Sequence, residues 1–203
     1  MARVCVSSRA VAALAALGLV GCITDPDQAP KLHDPAGYTE PATFVQAYAT
    51  ALQERNLDHY QKLLADDFAY FPPASDIAGL LWLTGDSWGY ADEVGMIAHM
   101  MDPGFVPRAS DCGTVRAMHA VFDVTSQRDV GDGTIEVTTH GLIRVVWGVD
   151  GGGFSDVRFD LSLTRGEDGY LRLHAMRELP LYRAGSLDVT PRTWAALKAG
   201  YRE

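Results

Sequence analysis

Basic tracts are absent from this 203-residue chain. Its 17 lysines and arginines face 26 acids, a formal net charge of -9 with a pI near 5.0. Binding a polyphosphate needs a surface with cations in excess, so this balance argues against a nucleic-acid binder. Cysteine is scarce too: three residues cannot frame a disulfide scaffold, and the odd count gives one of them another task. The six histidines (His33, His59, His99, His119, His140 and His174) show neither His-x-x-x-His nor His-Glu-x-x-His spacing, so no metal site is expected. There is no Gly-x-Ser-x-Gly elbow, phosphate-binding loop or dinucleotide fingerprint, and therefore no expected cofactor. What remains, 47% apolar and 21% charged with 20 Gly and 10 Pro, is the composition of an ordinary globular domain.

The N-terminus reads as an address. Arg3 and Arg9 make a positive start, and residues 10–20 form an uncharged apolar run too short for a bilayer, which takes about 20 residues. It ends in Leu19-Val20-Gly21-Cys22, which resembles the bacterial lipobox, in which a cysteine is acylated and becomes the first residue after cleavage. Acyl chains on the Cys22 thiol contribute about 0.8 kcal/mol per buried CH₂, so several chains anchor stably. The resemblance implies a signal peptide at 1–21 that takes Cys5 with it, and a membrane partner through lipidated Cys22. Ile23 stands where some bacteria place a retention aspartate, which favours the outer membrane, facing the periplasm. Losing residues 1–21 removes two arginines and no acid, so the net charge moves from -9 to -11.

Residues 22–38, with three prolines and no apolar period, read as a tether. A first helix starts near Thr39 and Pro41, carrying Phe44, Tyr48, Ala51 and Leu52 at helical spacing. Asn56 caps a second, with Leu57, Tyr60, Leu63 and Leu64 on one face and Pro72-Pro73 forbidding continuation beyond Phe71. Residues 74–88 form a loop whose Leu80-Leu81-Trp82-Leu83 suits a buried strand or lid. A third helix covers 90–101 with Val94, Ile97, Ala98 and Met101 inward. After Cys112 the period becomes two. Strands at 114–128, 134–149, 154–165 and 170–179, joined by turns that include Asp150-Gly151-Gly152-Gly153, predict an antiparallel meander. A short helix with Thr190 as cap, Pro191 first, and Trp194 and Leu197 apolar closes the chain.

The stretch from Ala47 to Asp58 carries Tyr48-x-x-Ala51-Leu52, a polar turn and Leu57-Asp58; with Leu63-Leu64-Ala65-Asp66-Asp67-Phe68 it resembles the opening of nuclear transport factor 2-like domains. That family includes ketosteroid isomerase and polyketide-cyclase-like (SnoaL-like) proteins. The resemblance implies an α+β cone over residues 39–180, with N-terminal helices on the concave face of a curved antiparallel sheet and 181–203 as an extension. It also implies a cavity suited to a small apolar ligand. In the isomerase a tyrosine of the first helix donates to an oxyanion and an aspartate moves the proton. Tyr48 stands near the former, but Pro72 occupies the position of the latter and cannot carry a proton, so that mechanism does not transfer.

Other chemistry must come from elsewhere in the chain. His119 and Asp123 share a strand face with Val115, Ala117 and Val121, yet lie about 13 Å apart at 3.3 Å per residue. They serve either as base and carboxylate in a cavity or as part of a solvated face, with Met118, Ala120, Phe122 and Val124 as the core face. Arg177 either holds a ligand carboxylate or reaches water. Cys112 is either a small buried residue or a reactive thiol. Phe71, Trp82, Trp88 and Trp147, with Tyr48, either line a pocket or are core. Three functions stay open: binding of a small apolar ligand or protein partner without catalysis; an isomerase, dehydratase or cyclase using Tyr48 with His119, Asp123 or Arg177; and a structural or homodimeric module using the convex sheet face with Arg144, Arg158 and Asp160. The first predicts a closed apolar pocket, the second converging titratable groups, and the third a filled cone with an exposed patch.

Overall fold

A computed structural model describes residues 38–108, 112–148, 151–180 and 192–202. The signal peptide and the tether through residue 37, Cys22 included, lie outside them. Tyr38, read as the end of the tether, is instead buried in the core, its hydroxyl 2.9 Å from His59 Nε2 and its carbonyl accepting from the Leu171 N–H. Helix α1 (Pro41–Gln53) begins with proline at its first position and buries Phe44, Val45, Tyr48 and Leu52 along one stripe. Helix α2 (Leu57–Leu63) is capped by Asn56, whose side chain accepts from the His59 N–H at 3.0 Å. It stops at Leu63. Residues 64–71, read from sequence as its continuation, are instead strand β1 (Leu64–Phe71), which pairs in parallel with the last strand. A partner more than a hundred residues away leaves no local signal. The presumed loop holds a one-turn helix α3 (Ala74–Ile77) and a two-residue strand β2 (Trp88–Gly89) that pairs with β1. Leu81, expected to be buried, is 94% exposed.

Helix α4 (Tyr90–Met101) occurs as predicted, but its buried face is Glu93, Met96, Ile97, Met100 and Met101, with Val94 and Ala98 only half-buried. Strands β3 (Val115–Gly131), β4 (Thr134–Trp147), β5 (Gly151–Arg165) and β6 (Leu171–Pro180) form the antiparallel part of the sheet. Strand order is β2-β1-β6-β5-β4-β3, so the expected four-stranded meander is part of a six-stranded mixed sheet. Gly151, Gly152 and Gly153 belong to β5, opposite Trp147, Val146 and Val145, and are not a turn. The glycines are needed for space: a Cβ on Gly151 would fall 2.5 Å from the Trp147 ring, and one on Gly153 would collide with Leu197. Period-two alternation places Val137, Thr139, Ile143 and Val145 of β4 inward with Val157, Phe159, Leu161 and Leu163 of β5. Glu136, Arg144 and Arg158 stand on the outer face, exposed.

The C-terminal helix α5 (Trp194–Ala199) starts later than expected. Thr193 caps it, its hydroxyl accepting from the Ala196 N–H at 3.0 Å, while Thr190 and Pro191 lie outside the described residues. Trp194, Leu197, Lys198 and Tyr201 are fully buried, so this segment completes the core of the cone and is not an appendage to it.

Candidate functional site

The polar centre of the molecule lies inside the cone, between α5 and the wall. Glu93 of α4 and Lys198 of α5 have no exposed side-chain surface, and Nζ reaches both carboxylate oxygens at 2.7 and 2.9 Å. The Tyr60 hydroxyl of α2 donates to Glu93 Oε1 at 2.6 Å, and the Trp88 indole N–H of β2 donates to Oε2 at 2.7 Å. Both oxygens of this carboxylate are engaged, which is what holding a charge out of water requires. Aromatic rings surround the ammonium: Nζ sits 3.3 Å from the Tyr70 centroid, 4.8 Å from Trp88 and 5.5 Å from Trp194. Tyr70 and Trp88 are themselves stacked at 4.3 Å and 15°.

A second buried carboxylate completes the cluster. Glu178 accepts from the backbone N–H of Trp194 at 2.6 Å and of Ala195 at 2.7 Å, and from the Tyr70 hydroxyl. Burial pushes the Glu178 carboxyl above the usual range, opposed by the Tyr70, Ala195 and Trp194 donors and by Lys198. Burial pulls the Lys198 ammonium down, opposed first by Glu93. The Tyr48, Tyr60 and Tyr70 phenols are all raised, burial first; the next cause is Glu93 for Tyr48 and Tyr60, and Glu178 for Tyr70. These hydroxyls stay protonated donors at any physiological pH.

Of the residues singled out in the sequence, Tyr48 and Trp88 are inside. Tyr48 Oη lies 3.2 Å from Tyr60 Oη and 3.9 Å from Met176 Sδ. The space beside it, lined by Phe44, Phe122, Thr139 and Phe159 among others, is about 10 Å³, room for one water. His119, Asp123 and Arg177 are exposed on the outer face, so the sheet separates them from Tyr48. Arg177 Cζ lies 4.5 Å over half-buried Phe71, also on that side. Trp82 is half-buried with its ring 5.6 Å from Trp88, and Trp147 is half-buried against the glycines of β5. Cys112 is half-buried. Among the described residues no cluster could hold a metal ion.

Three charged residues of the centre were not anticipated: Glu93, Glu178 and Lys198. Glu93 had a signal, since it leads the stripe Met96, Ile97 and Met100 at i+3, i+4 and i+7; so had Lys198, four residues after Trp194. Glu178 had none. A bulge at His174 shifts the β5–β6 register between Leu163↔Leu173 and Ser162↔Ala175, turning Met176 and Glu178 inward and Arg177 outward.

No family model matches the sequence, and no curated protein matches it. Solved structures do resemble the fold. A protein of Novosphingobium aromaticivorans, proposed to be a scytalone dehydratase, aligns over 75% of this chain and 91% of its own at 10% identity, TM-score 0.50. A conserved protein of Planctomyces limnophilus aligns over 69% and 94% at 13% identity, TM-score 0.51. A variant of a Mycobacterium tuberculosis protein of unknown function aligns over 79% and 83% at 9% identity, TM-score 0.50. The protein thus has the fold expected from its opening, an α+β cone with helices packed on one face of a curved sheet. At such identities the likeness is one of fold alone.

Proposed function

We propose that the protein is a lipid-anchored domain of the cell envelope that works by binding a partner, not by catalysis. The observation that carries this reading is how the described residues pack the cone: α5 engages Glu93 and Glu178, and about 10 Å³ is left beside Tyr48, too little for a substrate. No described element covers the opposite side of the sheet. Val121 and Leu142, paired across β3 and β4, are 58% and 41% exposed, with His119 and Arg144 on one side and Asp123 and His140 on the other. Beside them a depression of about 540 Å³ is lined by Phe71, Thr138, Arg158, Asp160 and Arg177 among others. An apolar centre with charges of both signs around it suits a protein partner.

A photo-crosslinking residue placed in cells at Val121 should give a discrete adduct, and one at exposed Asp66 on the far edge of the sheet should not. Cys22→Ala should move the protein out of the membrane fraction and abolish fatty-acid labelling. An adduct at Asp66 with none at Val121 would overturn the outer-face assignment, and membrane retention of the cysteine variant would overturn the anchor.

A further inference from the structure

Glu93, Tyr60, Tyr70 and Trp88 come from four different elements of the cone, and none belongs to the segment that brings the lysine. Two of them fix the carboxylate, with the Tyr60 hydroxyl and the Trp88 indole each holding one oxygen. Two offer ring faces to the cation. The wall is therefore organised around a positive charge before Lys198 is counted. Glu178 adds a second acid at the same seat. A group that fills this part of the cone without a cation leaves Glu93 buried as an unpaired carboxylate or makes it take a proton, and either is destabilising. A carboxylate beside stacked aromatic faces is chemistry suited to an alkylammonium group.

The pattern repeats one turn along. Arg202 lies 2.8 Å from Asp92, the neighbour of Glu93, and its guanidinium covers Trp82 at 4.0 Å, while Trp82 touches Trp88. The terminal segment thus presents Trp194, Lys198 and Arg202 at i, i+4 and i+8, and the wall answers each cation with an acid and an aromatic ring. This is how a receptor holds a peptide, with ligand and receptor joined in one chain.

We propose that the cone wall is a recognition site for a primary ammonium group on an alkyl stem, filled from within by Lys198, and that an alkylammonium from outside the chain can take the same seat. The outside group is either a lysyl side chain of a peptide or a free alkylamine. The inference does not depend on the outer-face reading, since it concerns the other side of the sheet.

The test uses the full chain. Lys198→Ala removes three carbons and the ammonium, which n-propylammonium supplies. Thermal unfolding of this variant should shift up saturably by at least about 3 °C with n-propylammonium and not with n-propanol. Lys198→Met, whose side chain fills the seat, should not respond. Equal effects of the amine and the alcohol would overturn the proposal. A second measurement needs no altered protein. A dye-labelled peptide with the sequence of residues 192–202 should bind the unmodified chain, and its lysine-to-methionine version should bind about tenfold more weakly or worse. Equal binding of both peptides, or no peptide binding together with no response of the unmodified chain to n-propylammonium, would overturn the exchange with an outside group. A response of the unmodified chain to n-propylammonium alone assigns the site to free amines, a response to the peptide alone assigns it to lysyl segments, and a response to both assigns it to either.

Discussion

A carboxylate that accepts from two backbone amides and a phenol is normally held low, yet burial raises Glu178 above its ordinary value. The sign of its effect on stability follows. Below the unfolded value the carboxyl is neutral in both states and costs nothing. As pH rises the unfolded chain ionises first, so the folded state loses ground until pH passes the folded value. Glu178→Gln removes this dependence, although its amide must turn one N–H₂ toward the Trp194 or Ala195 amide, a fixed offset of about 1–3 kcal/mol. Urea unfolding of both proteins between pH 4 and 7 should show the wild type's advantage shrinking as pH rises. An advantage that grows over that interval would mean that the hydrogen bonds outweigh burial. At this scale the sequence pointed to Tyr48 and Trp88, while Glu93 and Lys198 went unread although each is a charge that interrupts an apolar stripe. Burial depends on which neighbours meet the stripe, and for both residues that neighbour is the other.

Among the elements, α5 buries Trp194, Leu197 and Lys198 inside the cone, and its seat depends on glycines in a strand. Gly153 has no side chain because Leu197 occupies that space, and the Trp147 ring lies beside it. Gly153→Ala should push Leu197 out and cost about 1–3 kcal/mol of overpacking. Amide exchange at Trp194, Ala195 and Leu197 should quicken more than exchange in β4, which would trace the loss to the helix seat; uniform quickening would place it in the sheet. The glycine run read as a turn from sequence because Gly-rich triplets after aspartate usually are turns, whereas here side-chain volume from a distant helix decides. Strand β1 eluded the sequence for a related reason: Leu63-Leu64 and Phe68 fit a helical stripe, and the competing period is broken by consecutive exposed Asp66 and Asp67, where the pairing with β6 is irregular. The long strands β3 to β5, paired with sequence neighbours, were legible from alternation alone.

For the whole molecule the sheet acts as a partition, with an inner face closed by the chain's own segments and an outer face carrying mixed charge. The four residues weighed for catalysis fall on both sides of it, Tyr48 within and His119, Asp123 and Arg177 without. Binding on the outer face should therefore be separable from stability. Val121 and Leu142 contribute little to the core, so Val121→Asp with Leu142→Asp should cost only about 1 kcal/mol each, from lost strand propensity and two carboxylates set opposite one another. The same pair places two new carboxylates among Asp123, Asp156 and Asp160 and removes the apolar centre, so an adduct formed from a crosslinker at His119, two residues along the same face, should vanish when the pair is introduced. If the cost stays this small and the adduct persists, the partner sits elsewhere. If stability falls by several kcal/mol, these side chains serve the fold, and the outer face loses its claim to be a docking surface.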